Sequence, residues 1–302
     1  MFKNHKNIIY KKLLYLLPQY NRFVTFSNMG HYGRLGNQLF QYAAIRSYSN
    51  KHNVPILLPE STDHRMDNFN ITYRQFVKRH ILEAVIMEKF EEKQFNFDPF
   101  FFLYHKRKDF IGYLQSEKYF VDIRDILLKE FTLKDNKKND YCLKYIEKIR
   151  SENPGKSIVA LHNRRGDNVP SDEKVSNREL GVFPPDKEAF HPLLTIEYIE
   201  KAKSHFKNAV FIVCSDNKKD IEWCKENITG KNHYYSEGHD DLTDITLMRY
   251  CDHNIISNSS FSWWAAWLNE NPNKVVIAPQ KWFGKAVKLN TADLIPATWI
   301  RI

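Results

Sequence analysis

Three motifs that would each have fixed the chemistry are missing from these 302 residues. The chain has no G-x-x-x-x-G-K-[ST] to cradle a triphosphate and no H-E-x-x-H to hold zinc on a helix. It also has no D-x-D, the paired aspartates that commonly hold the divalent ion in metal-dependent sugar transfer. Cysteine is scarce. The four, at positions 142, 214, 224 and 251, include no C-x-x-C pair, and no histidine stands at ligand spacing, which argues against a disulfide scaffold and a zinc site. Cys214 and Cys251 fall in or beside apolar runs and read as reduced core residues of a reducing compartment. Long apolar runs are absent too. Ile8-Ile9-Tyr10 and Leu13-Leu14-Tyr15-Leu16-Leu17 are interrupted by Lys11 and Lys12 and ended by Pro18, too short and too charged to span a bilayer. Residues 1–21 read as an amphipathic helix packed on the domain, with a basic helix on a membrane surface as the alternative. No small-residue cleavage site follows, so the expected location is cytoplasmic, with peripheral membrane contact through the basic N-terminus as a variant.

What is present points to a large globular enzyme. Hydrophobic residues make up 42% and aromatics 14% of the chain, and its length favours two domains. A net charge of +9 suits an anionic ligand, a nucleic acid or an acidic membrane surface without choosing among them. The aromatics sit mostly in apolar periodic runs and are not interleaved with Lys and Arg, which argues against nucleic acid.

Two halves each alternate short apolar runs with helical patterns. In the first, Phe23-Val24-Thr25-Phe26 is a strand, and a turn through Gly30, Gly33 and Gly36 follows it. A helix from Asn37 to His52 carries Leu39, Phe40, Ala43, Ala44 and Tyr48 on one face, before a strand at Val54–Leu58. The lysine-rich stretch from Lys134 to Asp140 is a plausible boundary, and Asn153-Pro154-Gly155-Lys156 is a clear break. The second half predicts strands at 157–162, 209–214, 253–257 and 274–278. Helices are expected near 193–206, 217–227, 241–251 and 260–269. This alternation predicts an α/β fold with a parallel, doubly wound sheet whose ligands lie at the carboxyl ends of its strands.

Candidate chemistry gathers at those strand ends. Ser157–His162 runs straight into Asn163-Arg164-Arg165-Gly166-Asp167, where two guanidinium forks suit phosphate oxygens; pairing with Asp172 or Glu173 on a surface loop is the plainer alternative. Ser257-Asn258-Ser259-Ser260-Phe261 precedes a helix, where hydroxyls and unpaired amides converge, or one serine simply caps. Trp263, Trp264 and Trp267 read as core residues of that helix. Asp216, just past a strand, fits a ribose or guanine contact or an N-cap, and Asp244 carries the same ambiguity. Gly33-Arg34-Leu35-Gly36-Asn37-Gln38 makes a tight turn into a helix start, where backbone can approach a ligand closely.

Taken together, GRLGNQLFQYA (33–43), GYLQSEKYF (112–120), HNRRGD (162–167), CSDN with a following Trp223, and NSSFSWWAAWLN (258–269) resemble the α-1,2-fucosyltransferases of glycosyltransferase family 11. APQKWFG (278–284) and the terminal LIPATWIRI extend the resemblance to roughly residues 22–302. It implies a GT-B-like fold, two Rossmann-type domains facing each other across a cleft. Residues 1–150 would form the acceptor side. Residues 151–302 would bind GDP-fucose, with the tail returning to the first domain. It further implies inverting transfer of L-fucose from GDP-fucose to the 2-hydroxyl of a terminal galactose on a glycan, with no metal and no other cofactor. By the same resemblance Arg164 binds the β-phosphate, and His162 and Arg165 shape its loop. Ser259 and Ser260 hold phosphate oxygens, Phe261 and Asp216 belong to the donor site, and Asp244 reads the guanine edge. Asn37 and Gln38 approach the donor from the opposite domain, and Tyr113, Gln115 and Glu117 line the acceptor side. Asn163 departs from the family, which usually has an apolar residue there, so its amide needs a partner. The base is open among Asp167, a later acid such as Asp172 or Glu173, and no residue at all if diphosphate or water takes the proton late. Another regiochemistry, or a non-catalytic glycan-binding relative, is the rival reading; the intact HNRRGD and GNQ strings speak against the second.

Overall fold

The computed structural model describes residues 21–30, 33–60, 65–71, 75–79, 82, 85, 87–166 and 191–302. The chain forms two compact units, Met1–Lys134 with Leu289–Pro296, and Asp135–Lys288 with Ala297–Ile302.

In the first unit β1 (Phe23–Thr25) leads to helix α1 (Leu35–His52), then β2 (Leu57–Pro59), β3 (Gln75–Val77), β4 (Glu88–Glu91), β5 (Arg107–Ile111) and α2 (Arg124–Glu130). One parallel sheet has the order β1-β5-β4, and β2 pairs with β3, again parallel. Helix α1 does not have the single apolar face its sequence suggests. Tyr42, Ile45, Gln41 and Arg46 are buried with the expected Leu39, Phe40, Ala43, Ala44 and Tyr48, so the helix is wrapped on most sides. Its buried polar groups find partners accordingly: Tyr42 Oη donates to Glu130 Oε2 and Arg46 Nε to Glu130 Oε1, each at 2.9 Å, tying α1 to α2. The helix stops at Asn53, whose left-handed backbone (φ 48°) lets its N–H reach the carbonyl of Ser49.

The second unit holds α3 (Asn136–Glu152), β6 (Ser157–Asn163), α4 (Ile196–Lys203), β7 (Ala209–Ser215), α5 (Lys218–Asn227) and β8 (His233–Tyr235). It continues with α6 (Asp241–Tyr250), β9 (His253–Ile255), α7 (Ser260–Leu268), β10 (Val276–Ala278) and β11 (Ile300–Arg301). All six strands are parallel, in the order β11-β10-β9-β6-β7-β8. Val159, Leu161, Phe211, Val213, Ile255 and Ile277 form one buried core with Ile199 and Ala202 of α4 and Cys224 of α5. Trp263, Trp264 and Trp267 of α7 are buried, as expected for core residues. All four cysteines are free and buried.

Helix α3 groups with the second unit, 16 residues ahead of the expected boundary at 150, because it packs on α6 and pairs with that unit's charges. Arg150 Nη2 lies 2.9 Å from Asp252 Oδ1, and Tyr250 Oη donates to Asn139 Oδ1 at 2.6 Å. Leu289–Pro296 groups with the first unit: Asp293 accepts from the Phe97 N–H at 3.0 Å and from Lys118 Nζ at 2.6 Å. The last residues then rejoin the second unit by pairing β11 with β10. Among the described residues no helix is long and apolar enough to cross a membrane. The amphipathic reading of residues 1–21 falls, but for its last residue, outside the described residues, and so do Asp167, Asp172 and Glu173.

Candidate functional site

The second unit's strand order places a reversal between β6 and β9: the chain builds outward from β6 through β7 to β8, then returns to add β9, β10 and β11 on the other side. Helices leaving adjacent strands at such a point diverge, opening a crevice outside the carboxyl ends of those two strands. The residues there are His162 and Asn163 at the end of β6, Arg164 just after it, and Ser257–Ser260 after β9. His162 Nδ1 lies 2.8 Å from Ser257 Oγ, joining the two strand ends at the reversal, and the His162 ring sits 5.4 Å from that of Phe261. His162 is buried. Burial, and then the neighbouring Arg164 charge, push its pKa down to about 3, so it stands as a neutral tie and not as a proton carrier near neutrality.

The arginine loop is held from one side by the segment after β7. Asp216 Oδ1 pairs with Arg164 Nη1, and Asp216 Oδ2 accepts the Arg165 N–H at 2.8 Å. Asp220 Oδ2 accepts the Gly166 N–H at 3.0 Å. Gly166 has φ +37°, and a Cβ there would lie 2.8 Å from Asp216 Cγ, so glycine permits the close approach. Arg165 packs on α5: its guanidinium lies 3.6 Å from the Trp223 ring centre, a cation–π contact, and its Nε 3.6 Å from Asp220 Oδ1. Asp216 is not the cap of α5. Asn217 fills that place, its Oδ1 accepting the Asp220 N–H at 3.0 Å, which leaves both Asp216 oxygens for the arginine loop. Buried Asn163 has the partner it needs, its Nδ2 donating to Cys224 Sγ at 3.5 Å.

After β9, Ser259 caps α7 by accepting the Phe261 N–H at 3.3 Å. Ser260 and Phe261 are partly exposed beside it. Asn258 is buried, and its Nδ2 donates to the carbonyls of Pro192 at 2.9 Å and Trp282 at 3.1 Å. Asp244 is buried in the first turn of α6, which Asp240 caps. It accepts from Ser236 Oγ and lies 3.7 Å from His239 Nδ1; burial raises its pKa. Ser236 and His239 flanking Asp244 were not singled out by sequence, because neither belongs to a recognisable string.

In the first unit Gln115 Nε2 donates to Asn37 Oδ1 at 2.8 Å, which brings two of the expected site residues together. Gly33, at φ +81°, lies so close that a Cβ would fall 1.9 Å from Asn37 Nδ2. Gln38 instead is fully buried, its Oε1 accepting the Arg65 N–H at 3.1 Å, a contact internal to this unit. Tyr113 and Glu117 are partly exposed, Glu117 opening a single turn of 3-10 helix over Glu117–Tyr119. Among the described residues no group of three His, Cys, Asp or Glu is arranged to hold a metal ion.

The sequence model of glycosyl transferase family 11 matches residues 22–302. An alpha-1,2-colitosyltransferase of Escherichia coli is 32% identical, over 89% of this chain and 96% of its own length. The mouse (Mus musculus) galactoside 2-alpha-L-fucosyltransferase Sec1 is 26% identical over 78% of this chain and 62% of its own. Among solved structures, POFUT1 in complex with GDP is similar over 85% of this chain and 98% of its own, with TM-score 0.49 and 15% identity.

Proposed function

The chain belongs to glycosyl transferase family 11 and is a glycosyltransferase, and we propose that it moves L-fucose from GDP-fucose to the 2-hydroxyl of a terminal galactose, with inversion and without a metal. One observation carries the donor side of this reading: the His162–Ser257 tie sets an arginine loop beside a helix N-terminus at the sheet's reversal. Arg164 and the first amides of α7 supply positive potential for a diphosphate, which develops charge as the glycosidic bond breaks. Ser259 and Ser260 stand at that helix start to donate to its oxygens, with Phe261 beside them. Asp216, Asp220 and Trp223 hold the loop so that its charge is fixed before the donor arrives. Arg165 then acts as part of the scaffold, and Asp244, fixed by Ser236 and His239, reads the guanine edge.

Inversion needs the acceptor oxygen to attack the anomeric carbon on the face opposite the leaving GDP. The C–O bond to GDP breaks as the new one forms, and the hydroxyl proton passes to a base, for which Asp167, next in sequence to Gly166, is the candidate. Gln115, Tyr113 and Glu117 form the acceptor side, and Asn37, which the resemblance assigns to the donor, is placed with them here because Gln115 donates to it.

A second reading concerns the donor sugar. The colitosyl relative at 32% identity makes a colitosyl donor the alternative. Colitose lacks the 3-hydroxyl of fucose, and a site built to hydrogen-bond that hydroxyl discriminates strongly against the analogue without it. The deciding experiment incubates the full chain, in EDTA, with GDP-fucose or GDP-colitose and a panel of galactose-terminated oligosaccharides, with linkage analysis of the product. An α-1,2-fucosyl product from GDP-fucose, with a much slower reaction from GDP-colitose, is the expected result. Preference for colitose would replace the donor, another linkage would replace the regiochemistry, and activity only with added Mg²⁺ or Mn²⁺ would overturn the metal-free mechanism.

A further inference from the structure

Glu92 is an acid that neither the resemblance nor the donor chemistry uses, yet its surroundings are built around it. It follows directly after β4, beside the loop that leaves β5 at Gly112. Its Oε2 accepts the Tyr113 N–H at 2.6 Å and the Leu114 N–H at 3.0 Å, and its Oε1 lies 3.1 Å from the same Leu114 nitrogen. One carboxylate thus takes two successive backbone amides.

The backbone that presents those amides is unusual on both sides. Gly112 has φ +143°, and a Cβ there would stand 2.4 Å from Glu92 Cβ. Leu114 has φ +54°, a left-handed conformation that a bulky residue resists and that persists only where its surroundings enforce it. Leu114 is fully buried, and Gln41 Nε2 donates to the Gly112 carbonyl at 3.2 Å, so the loop is pinned to α1 as well. The next residue is Gln115, whose amide reaches Asn37. Its Oε1 is buried without a hydrogen-bond partner among the described residues, an acceptor left for a hydroxyl donor.

We propose that Glu92 is a positioning residue for the acceptor sugar: by clamping the amides of Tyr113 and Leu114 it holds the loop in its left-handed turn and so sets Gln115 and Asn37 for a sugar hydroxyl. This rests on the reading of that loop as the acceptor side. Glu92 acts through the loop and takes no part in the bond-making step. Burial raises its pKa to about 7 in spite of the two amides, which fits a carboxylate held for its place and not for solvation.

The test uses the full chain with Glu92→Gln and Glu92→Ala, read in two independent ways. Kinetically, Glu92→Ala, which releases both amides, is expected to raise KM for the galactose-terminated acceptor about tenfold. KM for GDP-fucose should stay within about twofold, and Glu92→Gln, which keeps one acceptor oxygen, should fall between. Structurally, amide hydrogen exchange without any substrate should show Tyr113 and Leu114 protected in the wild type and exposed to exchange in Glu92→Ala. If Glu92→Ala does not fold, Glu92→Gln carries both readouts. Unchanged protection overturns the clamp. Lost protection with unchanged acceptor KM, or with donor and acceptor KM raised alike, overturns the acceptor role. A wild type that transfers no fucose to any galactose defeats the functional reading, and the exchange experiment still decides the clamp.

Discussion

Replacing Arg164 by alanine is the sharpest test of the donor site. The guanidinium sits in a side chain only 18% exposed, paired with Asp216, whose side chain is 9% exposed. In that setting its charge is weakly screened, and on the proposed reading a diphosphate at the reversal meets it pre-oriented. Loss of one such donor from the transition state should cost about 3–4 kcal/mol, or on the order of a hundredfold or more in kcat. The same substitution touches the fold. Asp216 keeps the Arg165 amide but loses its ion pair, and an under-paired carboxylate at this burial costs about 1–3 kcal/mol of stability. The expected pattern is therefore a large fall in kcat/KM with GDP-fucose and saturating acceptor, and a modest fall in Tm. Arg164→Lys should recover Tm more than rate, since an ammonium can pair with Asp216 but lacks the planar fork. Asp216→Asn separates the two effects: the guanidinium stays but its orientation is lost, so rate should fall less than in Arg164→Ala while Tm falls similarly. An Arg164→Ala enzyme within tenfold of wild type would falsify the assignment. Wild-type-like rates in both Arg164→Lys and Asp216→Asn would show that only charge, and not a held geometry, matters.

Gly166→Ala should be nearly as damaging to rate as the arginine change, because its Cβ would strike Asp216 in a backbone (φ +37°) that alanine resists; wild-type rate would show the clamp to be dispensable. Asp244→Ala should raise KM for GDP-fucose and relax discrimination among nucleotide bases, an unpaired guanine edge costing about 1–3 kcal/mol, whereas equal loss toward every nucleotide would indicate a purely structural acid. His162 has a folded pKa near 3, below its ordinary value of 6.5, so its contribution is present above 6.5 and lost as pH falls toward 3. The loss is up to about 1.4 kcal/mol per pH unit, and denaturant titrations of His162→Gln should show a shallower acid limb than wild type, an unchanged limb refuting the burial argument. Lys108→Met should lower stability by about 1–3 kcal/mol, since Lys108 Nζ serves the carbonyls of Phe101 at 2.8 Å and Leu103 at 2.9 Å; no change in Tm would mean that water replaces it.

The second unit was largely readable from sequence, and the reason lies in its strands. Ser157–His162 and Ala209–Cys214 are uninterrupted apolar runs because both faces of a parallel strand are covered, and each ends in polar residues where the sheet meets the crevice. The observed strands run one residue further, to Asn163 and Ser215. β8 and β11 carry no strand signal because His233-Tyr234-Tyr235 and Ile300-Arg301 are short edge segments, the first partly exposed and the second exposed. The first unit conceals its sheet differently. β5 reads Arg107-Lys108-Asp109-Phe110-Ile111, a charged string that no apolar pattern would mark as a buried strand, yet Lys108 and Asp109 are both inside. Lys108 is satisfied by the nearby carbonyls of Phe101 and Leu103, and Asp109 by a residue far away in sequence, accepting from the Ser27 N–H at 2.9 Å and its hydroxyl at 2.7 Å.

The same distinction separates the site residues that sequence could assign from those it could not. Arg164 and Ser259 stand out as candidates, because each lies at the end of an element whose type and direction the local pattern already fixes. Asp216 does not, because a carboxylate after a strand has three ordinary uses, as a cap, a ribose contact or a charge partner, and only the placement of Asn217 decides among them. Once Asn217 takes the cap, Asp216 is left facing Arg164 and Arg165, and Gly166 must be glycine for the loop to come so near. Glu92 is further still from legibility. Its partners are backbone amides more than twenty residues on, and a backbone amide carries no signature in a sequence. The visible trace is Gly112, conspicuous only after the loop is seen to press on Glu92. Where a site is assembled from side chains at element ends, sequence order reports it; where a side chain works by holding another segment's backbone, only the folded contact does.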